Sequence, residues 1–189
     1  MTTNRKPEDK YYLRPEQSLV LVVDIQEKLF PAVANPYRVL RQTNLLLHAA
    51  RTFQLPVVVT EQNPAGLGPT LDTVDLKGLN MVKLDKMTFS AVTPKLLEVL
   101  RSYGKKQIIV AGIETHVCVL QTVRDLQREG YQCYLVADAV DSRTELNYRC
   151  ALELMREMGA VITSAEIITF DLLQTAEIPE FKVMLRRIK

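Results

Sequence analysis

Asp24, Lys86 and Cys118 are the residues of this sequence whose types and positions suggest chemistry. Asp24 ends the apolar run Leu19, Val20, Leu21, Val22, Val23, and Lys86 follows the short apolar stretch at 81–84. Cys118 falls in the first turn of a segment that follows Gly112-Ile113-Glu114. With Thr115 as helix cap, Cys118 is the third helical residue, where free backbone N–H groups and the positive end of the helix dipole favour an anion. A thiol in that position is expected to ionise below its free value of roughly 8.5, and the thiolate is the nucleophile. Lys86 would add a neighbouring positive charge, Asp24 would take and return the proton, and backbone N–H groups at the helix start would hold a developing oxyanion. Each residue also has an ordinary reading. Cys118 between Val117 and Val119 fits a small core residue, Asp24 a turn cap, and Lys86 a solvated lysine. Cys133 and Cys150 are expected in the core, mid-strand and mid-helix.

The elements that must position these side chains follow from the spacing of apolar residues. From Ser18 to Ile25 the apolar residues run without alternation, as in a strand buried on both faces. Beyond Pro36, residues Val39, Leu40, Leu46, Leu47, Ala50 and Phe53 recur at helical spacing and lead into a second strand at 56–60. A third strand is expected at 81–84, followed by a helix opened by Thr93-Pro94 and closed near Gly104. A fourth strand spans 107–111, and a helix runs from the Thr115 cap to about Glu129, with Gly130 as its left-handed end. A fifth strand spans 132–137. Ser142 and Glu145 have capping-box spacing and begin a helix that Gly159 ends before a sixth strand at 161–163. One or two helices fill the tail.

Strands and helices that alternate six times with short connections predict a three-layer α/β fold, a doubly wound and mostly parallel six-stranded sheet. Ligands of such sheets collect outside the carboxyl ends of the strands, the edge shared by Asp24, Lys86 and Cys118. The segment 61–78, with Pro64, Gly66, Gly68 and Pro69, is the one long irregular connection, either a surface loop or a functional one.

The chain has 189 residues, 47% hydrophobic and 24% charged, which predicts one globular domain over 1–189, with 1–15 and the extreme C-terminus flexible or packed on a neighbour. The 24 Lys and Arg nearly balance the 22 Asp and Glu, and no basic cluster beyond Arg186-Arg187 suggests a nucleic-acid partner. Three irregularly spaced cysteines make no disulfide framework, which points to a reducing, intracellular and cytoplasmic setting, an organelle remaining open. Neither a signal peptide nor a membrane span is readable at residues 1–10 or elsewhere.

Three blocks carry a resemblance: Leu21-Val22-Val23-Asp24-Ile25-Gln26, Lys86-Met87-Thr88-Phe89-Ser90-Ala91, and Ala111-Gly112-Ile113-Glu114-Thr115-His116-Val117-Cys118-Val119. Together, over about 18–170 and in this order, they resemble the isochorismatase-like cysteine hydrolase superfamily. The resemblance implies a catalytic triad of Asp24, Lys86 and Cys118, a non-proline cis peptide between Ile113 and Glu114, a small-molecule substrate and a homo-oligomer. The nicotinamidase branch holds a metal through histidines in the loop after the second strand, yet that loop here reads Thr60-Glu61-Gln62-Asn63-Pro64-Ala65-Gly66-Leu67-Gly68. With His48 and His116 as the sole histidines, no metal and no cofactor is expected. The loop most resembles stand-alone isochorismatase-domain proteins.

The expected activity is metal-independent hydrolysis of a small carboxamide or related C–N substrate. Vinyl ether hydrolysis of an isochorismate-like compound and a non-catalytic scaffold that retains the triad are the alternatives. Around the triad, Gln26 is a candidate pocket residue or a polar helix start, and Phe89 a cavity wall or core residue. Ile113, Glu114 and Thr115 are candidate substrate or oxyanion residues, Glu114 by orienting Lys86 or binding a substrate amine and Thr115 first of all as a cap. Ser90 and Glu61 face the same edge.

Overall fold

A computed structural model describes residues 10–188. Six parallel strands form one sheet: β1 (Ser18–Val23), β2 (Val57–Gln62), β3 (Met81–Lys86), β4 (Gln107–Ile113), β5 (Gln132–Asp141) and β6 (Val161–Thr163). Their order is β3-β2-β1-β4-β5-β6, so the winding reverses between β1 and β4. The connecting helices are α1 (Pro36–Thr52), the single turn α2 (Pro64–Leu67), α3 (Pro94–Tyr103), α4 (Leu120–Arg128), α5 (Glu145–Glu157), α6 (Ala165–Leu173) and α7 (Pro179–Ile188).

The period-2 geometry of β1 sends its side chains alternately to two cores. Val20 and Val22 pack with Leu46 and Leu47 of α1, Ile168 and Leu172 of α6 and Met184 of α7. Leu19, Leu21 and Val23 pack with Leu96 and Leu100 of α3, Val123 and Leu126 of α4 and Met155 of α5. Burial on both faces explains why β1, β2 and β4 lack a polar alternation.

The expected element order holds, with boundary corrections. Strands β2, β3, β4 and β5 each run two to four residues past the ends predicted for them, whereas β1, expected to reach residue 25, ends at Val23 where Asp24 turns the backbone left-handed. Thr144, not Ser142, caps α5 by accepting from Asn147 N–H, because Ser142 Oγ is engaged with His116 Nδ1 at 3.0 Å. Within segment 1–15, expected to be flexible or packed on a neighbour, residues 10–15 contact their own chain: Leu13 is buried, and the carbonyls of Lys10 and Tyr12 accept from Tyr134 Oη and Gln107 Nε2. Helix α7 is anchored likewise through buried Met184. The leader reading for residues 1–9 lies outside the described residues.

Close approach at the switch point requires glycine. Gly112 pairs with Val23 across β1 and β4 at φ 148°, and a Cβ there would overlap the Val23 carbonyl and stand 2.7 Å from Val23 Cβ. Its place on β4 coincides with a bulge against β5 between Val110 and Gly112.

Candidate active site at the carboxyl ends of the central strands

Three neighbouring strands end in left-handed, non-glycine residues: Asp24 after β1 at φ 56°, Asn63 after β2 at φ 39° and Glu114 after β4 at φ 59°. Such conformations cost of order 1–3 kcal/mol each and cluster at functional sites. At Asp24 the turn is held by Asp24 N–H donating to the Thr60 carbonyl and by Gln26 N–H donating back to the Asp24 carbonyl. Asn63 N–H donates to the Lys86 carbonyl, so the ends of β2 and β3 are tied as well.

Asp24 is fully buried and both its carboxylate oxygens are engaged. Oδ1 accepts from Thr60 Oγ1 at 2.7 Å and Oδ2 from Lys86 Nζ at 2.6 Å. Lys86 is 6% exposed and has three further acceptors: Gln62 Oε1 at 2.9 Å, the Phe89 carbonyl at 3.0 Å and the Thr88 carbonyl at 3.2 Å. This replaces the turn-cap and solvated-lysine readings, since neither group faces solvent.

Cys118 lies in a single π turn, Thr115–Val119, that feeds α4, and the residue is 4% exposed, near enough to Asp24 and Lys86 for their charges to act on its thiol. Burial first, and then the Asp24 charge, push the thiol up to about 12 against the opposing charge of Lys86. The expectation of easy ionisation is therefore corrected: loss of water and a nearby carboxylate outweigh the lysine. The turn is pinned from below, where Thr122 Oγ1 donates to the Cys118 carbonyl and accepts from Ala91 N–H. That bridge joins the loop after Lys86 to the turn carrying Cys118.

Among the described residues there is no cis peptide bond, so the cis Ile113–Glu114 bond is corrected; the reversal after β4 is made by the left-handed backbone of Glu114. Thr115 does not cap: its hydroxyl is buried without a partner, and the Glu114 carbonyl receives the Val117 and Val119 amides. Glu114 is buried and does not orient Lys86 through an ion pair; its Oε2 lies 3.1 Å from the Arg143 guanidinium, and Oε1 has no partner. Ile113 is core, fully buried beneath the site. Gln26 is spent on the backbone: it receives Gln62 N–H on Oε1 and donates from Nε2 to the carbonyls of Gln62 and Gly68, holding the 61–78 loop. Phe89 is neither core nor enclosed, its ring being 55% exposed while its carbonyl serves Lys86. Glu61 is turned to a structural task, accepting from Thr70 N–H, Thr70 Oγ1 and Lys83 Nζ. Ser90 Oγ accepts from Val92 N–H. Cys133 is core as expected, whereas Cys150 is exposed on α5.

Thr60, Gln62 and Arg143 escaped the sequence reading. The Thr60-Glu61-Gln62 triplet was visible, but Thr60 finds Asp24 only through the pairing of β1 with β2, and Gln62 finds Lys86 only because β2 runs two residues further beside β3. Among the described residues, no three His, Cys, Asp or Glu side chains gather as a metal site, and no helix is long and apolar enough to cross a membrane.

Residues 18–167 match the family model described as the isochorismatase domain. The chain belongs to the isochorismatase family. Within the family it is 40% identical over 182 residues to the secreted isochorismatase effector Isc1 of Phytophthora sojae, an alignment covering 94% of this chain and 87% of that protein. It is 37% identical over 178 residues to isochorismatase domain-containing protein 1 of Danio rerio, covering 94% of this chain and 62% of that longer protein. A solved structure titled MAR1 ribonuclease from Caenorhabditis elegans superposes with a TM-score of 0.88 at 35% identity, covering 93% of this chain and 91% of that one. Family membership carries hydrolase chemistry, and the all-parallel three-layer fold agrees with it.

Proposed function

We propose that this family member is a metal-independent hydrolase in which Cys118 attacks the carbonyl of a small carboxamide or related C–N substrate. The observation that carries the reading is the buried Asp24–Lys86 pair, at 2.6 Å, beside the buried Cys118, whose thiol both charges influence. Because the resting thiol is held neutral, attack is coupled to proton transfer: the S–H proton passes to Asp24 as the S–C bond forms. Lys86 offsets the negative charge that develops on sulfur and on the carbonyl oxygen. The proton then goes to the departing nitrogen as the C–N bond breaks, leaving a thioester. Water adds to the thioester, gives its proton to Asp24, and the acid leaves as the thiol is restored. Glu114 Oε1 and Thr115 Oγ1, buried and without partners beside the nucleophile's turn, are offered as acceptors for substrate N–H groups.

Turnover in a screen of small amides and imides, lost in both Cys118→Ser and Asp24→Asn, is the expected result; full activity in those variants overturns the mechanism. The name of the Phytophthora relative, an isochorismatase effector, favours one second reading, vinyl ether hydrolysis through protonation by Asp24. Activity on an isochorismate-like substrate that survives Cys118→Ala would select it. The ribonuclease title belongs to the nematode protein, and the near-balance of charge in this chain, net +2, supports a small substrate over RNA. RNA cleavage lost with Cys118→Ala would reverse that choice. Exposed Met87 and Phe89 beside Lys86 support assembly of several copies, read out by light scattering.

A further inference from the structure

Gln62, the last residue of β2, ties the segment after β1 to the end of β3 and the loop that follows it. Its Oε1 accepts from Lys86 Nζ at 2.9 Å, and its Nε2 donates to the Met87 carbonyl at 3.0 Å. Its own backbone is clamped by Gln26, through Gln62 N–H to Gln26 Oε1 at 2.7 Å and Gln26 Nε2 to the Gln62 carbonyl at 3.0 Å. The residue is 9% exposed. An ammonium has three protons, and four acceptors surround this one: Asp24, Gln62, and the carbonyls of Thr88 and Phe89. Two of the four sit on the loop directly after Met87, the residue that Gln62 tethers. One amide therefore acts on Lys86 twice, by direct contact and by fixing the loop that supplies two more acceptors. Asp24 alone would draw the ammonium toward its own oxygen; the neutral acceptors opposite spread the pull without adding a second negative charge.

We infer that Gln62 is a positioning residue that holds the Lys86 ammonium against Asp24, where its charge acts on the Cys118 sulfur, and that it acts on the nucleophile only through Lys86. The inference deepens the proposed function and rests on its assignment of Lys86 as the cation that supports the thiolate. An alternative purely architectural role would show in stability and leave Cys118 reactivity unchanged.

The test needs no substrate. Alkylation of native protein by iodoacetamide is followed at Cys118 by peptide mass spectrometry between pH 7 and 10, in wild type, Gln62→Met, Lys86→Ala and the double variant, with thermal unfolding measured alongside. Gln62→Met keeps an unbranched side chain of similar length and removes both hydrogen bonds. The expected result is a rate at Cys118 lowered at least about threefold throughout the range in Gln62→Met, and no further loss when Gln62→Met is added to Lys86→Ala. If Gln62→Met does not fold, Gln62→Asn, too short to reach Lys86 and Met87 together, should show the same pattern. A wild-type rate in the folded Gln62 variant, or an equal loss in the Lys86→Ala background, overturns the inference while the proposed mechanism stands. A Lys86→Ala protein whose Cys118 reacts as fast as wild type removes the reading on which it rests.

Discussion

Lys86 Nζ stands 2.6 Å from Asp24 Oδ2, with side-chain exposures of 2% and 0%, so the two opposite charges of this site are paired out of reach of water. Removing one partner of a buried pair leaves an uncompensated charge, which costs about 3–5 kcal/mol, while removing both leaves none. Lys86→Met should therefore destabilise the fold by that order in urea denaturation, and Asp24→Asn/Lys86→Met should be less destabilised than the sum of its singles. Additive losses would mean that the charges do not depend on one another.

Alkaline pH should weaken the fold through Cys118. Its thiol is raised from 9.0 to about 12 by burial and by Asp24, so the folded state keeps its proton where the unfolded state has released it. The stabilisation is complete below pH 9 and falls as pH rises from 9 toward about 12, since the unfolded chain binds fewer protons across that window. Burial raises Cys133 in the same direction. Urea midpoints taken at pH 8 and pH 10.5 should drop less in Cys118→Ala than in wild type. Equal drops would show that the thiol titrates alike in both states.

Gly112 should tolerate no side chain. Alanine there would meet Val23 at the β1–β4 junction and take a backbone conformation that L-residues avoid, for a loss of about 2–4 kcal/mol. Gly104, which ends α3 at φ 65° with nothing within 4 Å of its absent Cβ, is the control, where alanine should cost about 1–2 kcal/mol. Chemical denaturation of the two variants separates crowding from conformation; equal losses would remove the steric argument.

Arg143 should support the turn that carries the nucleophile. Its guanidinium is 3.1 Å from buried Glu114 and 3.5 Å from His116 Nε2. Because Arg143 is largely exposed, solvent screens the pair, and Arg143→Ala should lower stability by no more than about 1 kcal/mol. The larger consequence falls on Glu114, which loses the one partner its carboxylate has and should alter Cys118 alkylation. A Cys118 rate unchanged from wild type would assign Arg143 to the surface.

Local patterning carried the layer order of this protein. The uninterrupted apolar runs of β1 and β4 and the helical spacing of Val39, Leu46, Leu47 and Ala50 in α1 need only neighbouring residues to be understood, because strand and helix periods are local properties. The same holds for Asp24 at the end of a strand and for Cys118 at the start of a helix-forming segment. What the sequence could not carry depends on residues far apart in the chain. Thr60 and Gln62 become partners of Asp24 and Lys86 only because β1, β2 and β3 lie side by side. Glu114 finds Arg143 across 29 positions only because β4 and β5 are neighbours. The thiol of Cys118 rises rather than falls for the same reason: helix position is a local property, whereas desolvation is set by everything the tertiary structure packs around the sulfur.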